Sequence, residues 1–129
     1  PDNQRVVLAG GERSYDYLVV ATGAGMRASE IPGLADHAVT VWTPEEMLRL
    51  RASYQQLVEK AKGGEKQRLL FLIPPNNRCS GPLYEMVLMT DTWLRKQGVR
   101  GKVHMEWTTF EDGYIQSFGP RLNTVVDEE

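Results

Sequence analysis

The chain has 129 residues, a formal net charge of −2, 41% hydrophobic and 25% charged residues, enough for one modest core of ordinary globular composition. No apolar run approaches the roughly 20 residues of a membrane helix, and a pI near 5.7 lacks the basic footprint of a nucleic-acid binder. The single cysteine, Cys79, excludes both an internal disulfide framework and a cysteine zinc cluster, and it favours a reducing compartment.

Pro1-Asp2-Asn3-Gln4 carries no initiator methionine and no leader pattern, so the chain reads as an internal piece of a longer protein. Arg5 to Ala9 is expected to be a short strand, Gly10-Gly11-Glu12-Arg13 a turn, and Tyr15 to Thr22 a second strand, together a hairpin. From Gly23 to Asp36 the residues are small, polar or breaking, with Pro32-Gly33 as the clearest turn signal, which predicts a loop. A helix begins where Thr43 caps, Pro44 takes the first helical position and Glu46 closes a capping box. Met47, Leu50, Tyr54, Leu57 and Val58 then recur at helical spacing until Gly63-Gly64.

Leu69 to Ile73 is a continuous apolar run, as expected of a strand covered on both faces, and Pro74-Pro75 stops it. A second helix is expected from Ser80 or Gly81 to Gln97, with Gly98 as terminator, and a further strand from Val103 to Thr108. Strand, helix and strand make one βαβ unit, whose crossover should be right-handed. Gly119-Pro120-Arg121-Leu122 opens a last helix that runs into Glu129. The fold class is therefore α/β, a β-hairpin entering a partial doubly wound parallel sheet.

Two stretches carry chemistry. In the first, Tyr15-Asp16-Tyr17-Leu18-Val19-Val20-Ala21-Thr22-Gly23-Ala24 is followed by Ile31-Pro32-Gly33. Gly23 to Ala28 formally satisfies Gly-x-Gly-x-x-Ala, but Pro32 and Gly33 cut short the helix that a dinucleotide fingerprint needs, so that match is spurious. The stretch instead resembles the strand and small-residue turn by which flavin-dependent pyridine nucleotide–disulfide oxidoreductases return to their FAD domain. Thr22 and Gly23 match the positions where backbone approaches the dinucleotide.

The second stretch runs from Ile73 through Pro74, Pro75 and Cys79 to Glu85. It occupies the turn where a nicotinamide dinucleotide would sit, yet two prolines supply no N–H donors, so NAD(P)H binding is not supported by the turn. On pattern alone Cys79 is either an inert packing residue or a thiol activated by Arg78 and the start of a helix, and Glu85 suits any first helical turn. Cys79-Ser80-Gly81-Pro82-Leu83-Tyr84-Glu85 resembles a segment of sulfide:quinone oxidoreductases and flavocytochrome c sulfide dehydrogenases. In that family the cysteine belongs to a redox-active pair beside the flavin and takes up sulfide sulfur, while the glutamate lies near the flavin ring.

The resemblance implies that residues 1–40 end an FAD-binding domain and residues 41–129 form part of an NAD(P)-binding-like Rossmann domain. It implies catalytic roles for Cys79 and Glu85 and cofactor contacts for Thr22, Gly23 and Gly81. It further implies a sulfur substrate, a quinone, and the rest of a flavoprotein as partners, in the cytoplasm or peripheral to a membrane with the periplasm left open, and exposed apolar edges allow a homo-oligomer. It covers most of the span from Tyr15 to Val126 by element order, and about a dozen positions by motif. Two alternatives stay open: the nicotinamide domain of an NAD(P)H-dependent flavin reductase or NADH dehydrogenase, and a non-catalytic α/β interaction module. His37 and His104 are isolated and suggest no metal site. Trp42, Trp93 and Trp107 read as packing residues, and Glu106 would hold a ribose hydroxyl only if NAD bound.

Overall fold

The computed structural model describes residues 3–77, 79–113 and 119. The order is β1 (Arg5–Leu8), β2 (Gly11–Ser14), a 3-10 turn (Ala28–Glu30), α1 (Leu34–His37), α2 (Pro44–Lys62), β3 (Gln67–Ile73), α3 (Gly81–Lys96), a second 3-10 turn (Arg100–Lys102) and β4 (Val103–Thr109). The strands form two separate pairs, β1 with β2 antiparallel and β3 with β4 parallel. The architecture is therefore mixed α/β with a hairpin and a βαβ unit. The expected C-terminal helix lies outside the described residues.

The hairpin closes earlier than expected. Leu8 pairs with Gly11 and Arg5 with Ser14, so Ala9-Gly10 is the turn and Glu12 and Arg13 belong to the strand. An ion pair of 3.2 Å between Arg5 and Glu12 spans the two strands. Tyr15 adds one further bond, its N–H donating to the Gln4 carbonyl at 3.0 Å, and then the chain leaves the ladder. The expected strand from Tyr15 to Thr22 does not form, and Tyr17, Val19 and Val20 are 95%, 87% and 72% exposed. High β-propensity is not sufficient there, because an apolar strand is stabilised by neighbours on its edges and faces.

Helix α2 starts as its sequence dictates, with extended backbone at Thr43, whose hydroxyl accepts the Glu46 N–H at 3.2 Å. The returning half of the capping box is different. The Glu46 carboxylate accepts the Thr40 N–H at 2.8 Å instead of that of Thr43, and this bond, with help from Arg49, holds the carboxyl below its usual range. Helix α3 ends where Gly98 adopts φ +71 and Val99 N–H returns to the Leu94 carbonyl at 3.1 Å. A left-handed residue at that point is the ordinary use of glycine after a helix.

The core lies between the two long helices and one face of the β3–β4 pair. Val58 and Ala61 of α2, Leu94 of α3, Val99 and Val103 are buried together, flanked by Leu57, Leu69, Trp93 and Met105. Leu94 is completely inaccessible, and burial of such a side chain contributes about 1.5–3 kcal/mol. Tyr54 stacks on Trp93 at 5.6 Å, and its hydroxyl pairs with Thr90 at 3.0 Å. Burial pushes that phenol above its usual pKa against the hydrogen bond.

The apolar run of β3 is covered on one face only among the described residues. Phe71 and Ile73 are buried, whereas Leu70 and Leu72 are 56% and 38% exposed. The expectation of two covered faces is thus corrected. The helices on either side of β3 in sequence both pack on the face that carries Leu69, Phe71 and Ile73, so alternation along the strand leaves Leu70 and Leu72 outside.

Asp91 links α3 to the turn before β4, since Arg95 and Arg100 both donate to its carboxylate. Those bonds, Arg95 first, hold the Asp91 pKa below its ordinary value. A depressed carboxylate stabilises the folded state above the unfolded value of about 3.9, and the contribution is lost as pH falls through the lower folded value. Asp91→Asn should therefore cost about 0.5–1 kcal/mol near neutral pH, and its deficit against wild type should shrink in urea denaturation at about pH 3. An equal deficit at both pH values would show that the charge is not the source.

Candidate functional site

The turn between β3 and α3 is built from its own side chains. Pro74 and Pro75 end the strand, Asn77 N–H donates to the Pro74 carbonyl at 3.3 Å, and Cys79 N–H donates to Asn77 Oδ1 at 2.8 Å. Asn76 sits at φ +64, a left-handed conformation that asparagine tolerates better than most residues. Cys79 emerges exposed from this turn, at the carboxyl end of β3 and just before α3. Arg78, expected to favour its thiolate, lies outside the described residues.

Ser80 occupies the N-cap of α3 but makes no side-chain cap hydrogen bond. Its hydroxyl donates to Glu111 Oε1 at 3.0 Å, and the Tyr84 hydroxyl, one turn along, donates to Glu111 Oε2 at 3.3 Å. Thr109, the last residue of β4, donates to the same Oε2 at 3.2 Å and accepts the Glu111 N–H at 3.1 Å. Tyr84 also leans on Trp107 of β4, with ring centroids 4.3 Å apart. Sequence reasoning missed Glu111. Its local signal is the Thr-x-Glu spacing just past the end of a parallel strand, the edge at which open α/β sheets assemble sites.

Gly81, half-buried, and Glu85, exposed, stand one turn apart on α3 and so share a face with each other. The structure thus gathers Cys79, Gly81 and Glu85 at one edge. Thr22 and Gly23 lie on a separate exposed loop, and no described hydrogen bond or ion pair joins them to that edge. The loop is tied instead to the approach of α2, where Trp42 Nε1 donates to the Ala24 carbonyl at 2.8 Å. Gly23 adopts φ +73, a conformation that favours glycine, and nothing stands within 4 Å of where its Cβ would be; the same open space surrounds Gly81. Gly23 and Gly81 are thus positions of the expected cofactor set at which no side chain obstructs an approaching ligand.

The other end of the β3–β4 pair is occupied by charge. Glu106 lies in the middle of β4 rather than near its end, opposite Leu70. Arg68 donates to both its oxygens at 3.1 Å, and His104 Nε2 stands 3.2 Å away. Arg68 first, then His104, holds the Glu106 pKa below its ordinary value. Any ribose hydroxyl would compete with those partners. No group of three metal-ligating side chains occurs among the described residues. A groove of about 360 Å³ runs between α2 and α3, lined by Met47, Leu50, Tyr54, Met86, Met89 and Trp93 among others, and it shares no residue with the Cys79 turn.

No protein-family model matches the chain. Among curated proteins it is 33% identical over 120 residues to the sulfide-quinone reductase of Aquifex aeolicus (strain VF5), across 92% of this chain and 26% of that protein. It is 26% identical over 115 residues to the mitochondrial sulfide:quinone oxidoreductase of Dictyostelium discoideum, across 82% of this chain and 24% of that protein. The chain spans about a quarter of the length of the curated relatives it matches.

Exposure of the sulfur carries its own test. Cys79 in this folded chain, kept reduced, should react to completion with an aromatic disulfide reagent without denaturant. Reaction only after unfolding would show that the sulfur is covered.

Proposed function

The chain is sulfide:quinone oxidoreductase-like, a member of the FAD-dependent oxidoreductase family, and from that premise we propose that it works inside a longer flavoenzyme that oxidises sulfide or a related sulfur species and reduces a quinone. Residues 1–40 would contribute to the FAD domain and residues 41–129 to a Rossmann-like domain beside it. The observation that supports the reading best is the exposed Cys79 thiol past the carboxyl end of a parallel strand, two residues before a helix. That edge is where open α/β sheets present their reactive groups.

FAD, when bound, would supply a two-electron acceptor between the sulfur compound and the quinone. The chain's own residues prepare for it. Thr22 would offer its backbone and hydroxyl, Gly23 would offer backbone without bulk, Gly81 would leave the first turn of α3 open, and Glu85 would present a carboxylate on the same helical face. Cys79 would act as one half of a disulfide with a cysteine that this sequence does not contain. Hydrosulfide attacking that bond would break one sulfur–sulfur link and form another, leaving one cysteine persulfide and one thiolate, with no net electron change in the step.

A nicotinamide cofactor is not part of the proposal. Pro74 and Pro75 have no N–H, and those of Asn77 and Cys79 are already engaged within the turn, so a pyrophosphate would find few donors. Neither the NAD(P)H-dependent reductase nor the non-catalytic module draws support from the relatives. No described helix is long and apolar enough to cross a membrane, and access to a quinone would come from peripheral association. The bare face at Leu70 and Leu72 would be covered by the rest of the flavoprotein or by a second copy.

The test is Cys79→Ser in the flavin-loaded full-length protein. Sulfide-dependent quinone reduction should fall by at least about 100-fold, as expected when a nucleophile is removed, with flavin content unchanged. Retention of full activity, or a full-length protein that purifies without flavin, would overturn the reading.

A further inference from the structure

We propose that Glu111 is a positioning residue for the Cys79 thiol, acting through Ser80. The catalytic part of this inference rests on the reading of Cys79 above; the structural part does not. One carboxylate receives the hydroxyls of Ser80 and Tyr84, from the first turn of α3, and of Thr109, from the end of β4. It therefore ties the start of the helix to the end of the neighbouring strand. Ser80 and Tyr84 are 8% and 9% exposed, whereas Cys79 beside them is exposed. The thiol projects from a peptide whose next residue is clamped.

The choice of partner by Ser80 is the second observation. A serine at an N-cap ordinarily accepts an N–H from its own helix, but this hydroxyl makes no such bond and is donated across to Glu111. Pro82 in the same turn brings no N–H to be capped. The diversion exchanges local helix capping for a tertiary tie at the residue adjacent to the sulfur. Upstream, Asn77 Oδ1 holds the Cys79 N–H at 2.8 Å, so the cysteine is restrained on both sides while its side chain stays accessible. A reacting atom displaced by about 1 Å can lose on the order of 100-fold in rate, which is the scale of what such a restraint protects.

Glu111→Gln, Glu111→Asp, Ser80→Ala and the double variant Glu111→Gln/Ser80→Ala are compared in the flavin-loaded full-length protein, with Cys79→Ser as reference. Glu111→Gln and Ser80→Ala should each lower kcat for sulfide-dependent quinone reduction on the order of tenfold, with KM for the quinone unchanged. The double variant should be no slower than the worse single one, because both remove the same bond, and Glu111→Asp should recover part of the rate. The rate of Cys79 alkylation by iodoacetamide at one pH, on protein kept reduced, gives a readout independent of turnover. It should change several-fold in Ser80→Ala, which alters no charge, as the loosened turn alters the presentation of the sulfur. An unchanged alkylation rate in both Ser80→Ala and Glu111→Gln, or additive losses in the double variant, would overturn the inference. Should Cys79→Ser retain activity, the redox reading fails, while the alkylation rate still decides whether Glu111 holds the thiol in place.

Discussion

Parallel pairing of β3 with β4 is the constraint on which the candidate site depends. The register sets Gln67 against Val103 and Ile73 against Thr109, so the two strands end level. Helix α3 starts at the edge where β3 ends and carries the chain back to the opposite edge, so that β4 returns its last residues to the first turn of the helix. An antiparallel pair would have sent the two ends to opposite sides of the sheet. Ser80 and Glu111 meet because of this geometry, although 31 residues separate them.

The same unit explains how a small core supports an exposed thiol. Buried contacts concentrate around Val58, Leu94, Val99 and Val103, beside the last turns of α2 and α3. At the other end, hydrogen bonds are added to the burial of Phe71, Ile73 and Tyr84: Cys79 to Asn77, Ser80 to Glu111, Tyr84 to Glu111. Directional bonds fix an orientation without covering the group they orient, which apolar packing cannot do. A sulfur that must meet a substrate is better served by the first arrangement.

Much of this fold was legible in the sequence, and the reasons differ by element. Thr43-Pro44 and Gly63-Gly64 bracket α2 with local signals that no tertiary contact needs to supply. The prolines after Ile73 and the glycine after Gln97 do the same for β3 and α3. Tyr15 to Thr22 misled because its composition states a preference for strand without stating a partner. The true second strand, Gly11–Ser14, is polar, and it is fixed by the two-residue turn before it and by the Arg5–Glu12 pair. Glu111 was illegible for another reason: its meaning depends on the register of two strands and on a serine that caps nothing locally. Glu106 drew attention through its strand position, yet strand alternation turns it to the outer face, where Arg68 takes it.

The two prolines after β3 bear on how such a turn changes function without changing fold. A glycine-rich turn there would expose a row of N–H groups toward a helix start, an arrangement suited to a pyrophosphate. Pro74 and Pro75 delete two of those donors, and Asn77 and Cys79 spend theirs inside the turn. The helix start remains, with its positive dipole end and no side-chain cap. A sulfur carried on the chain itself needs no cradle of donors, because the peptide already holds it at that edge. On the proposed reading, the turn gives up the donors that a diffusible dinucleotide would need and presents a tethered thiol instead, and the tie from Ser80 to Glu111 fixes the residue beside that thiol at the same edge.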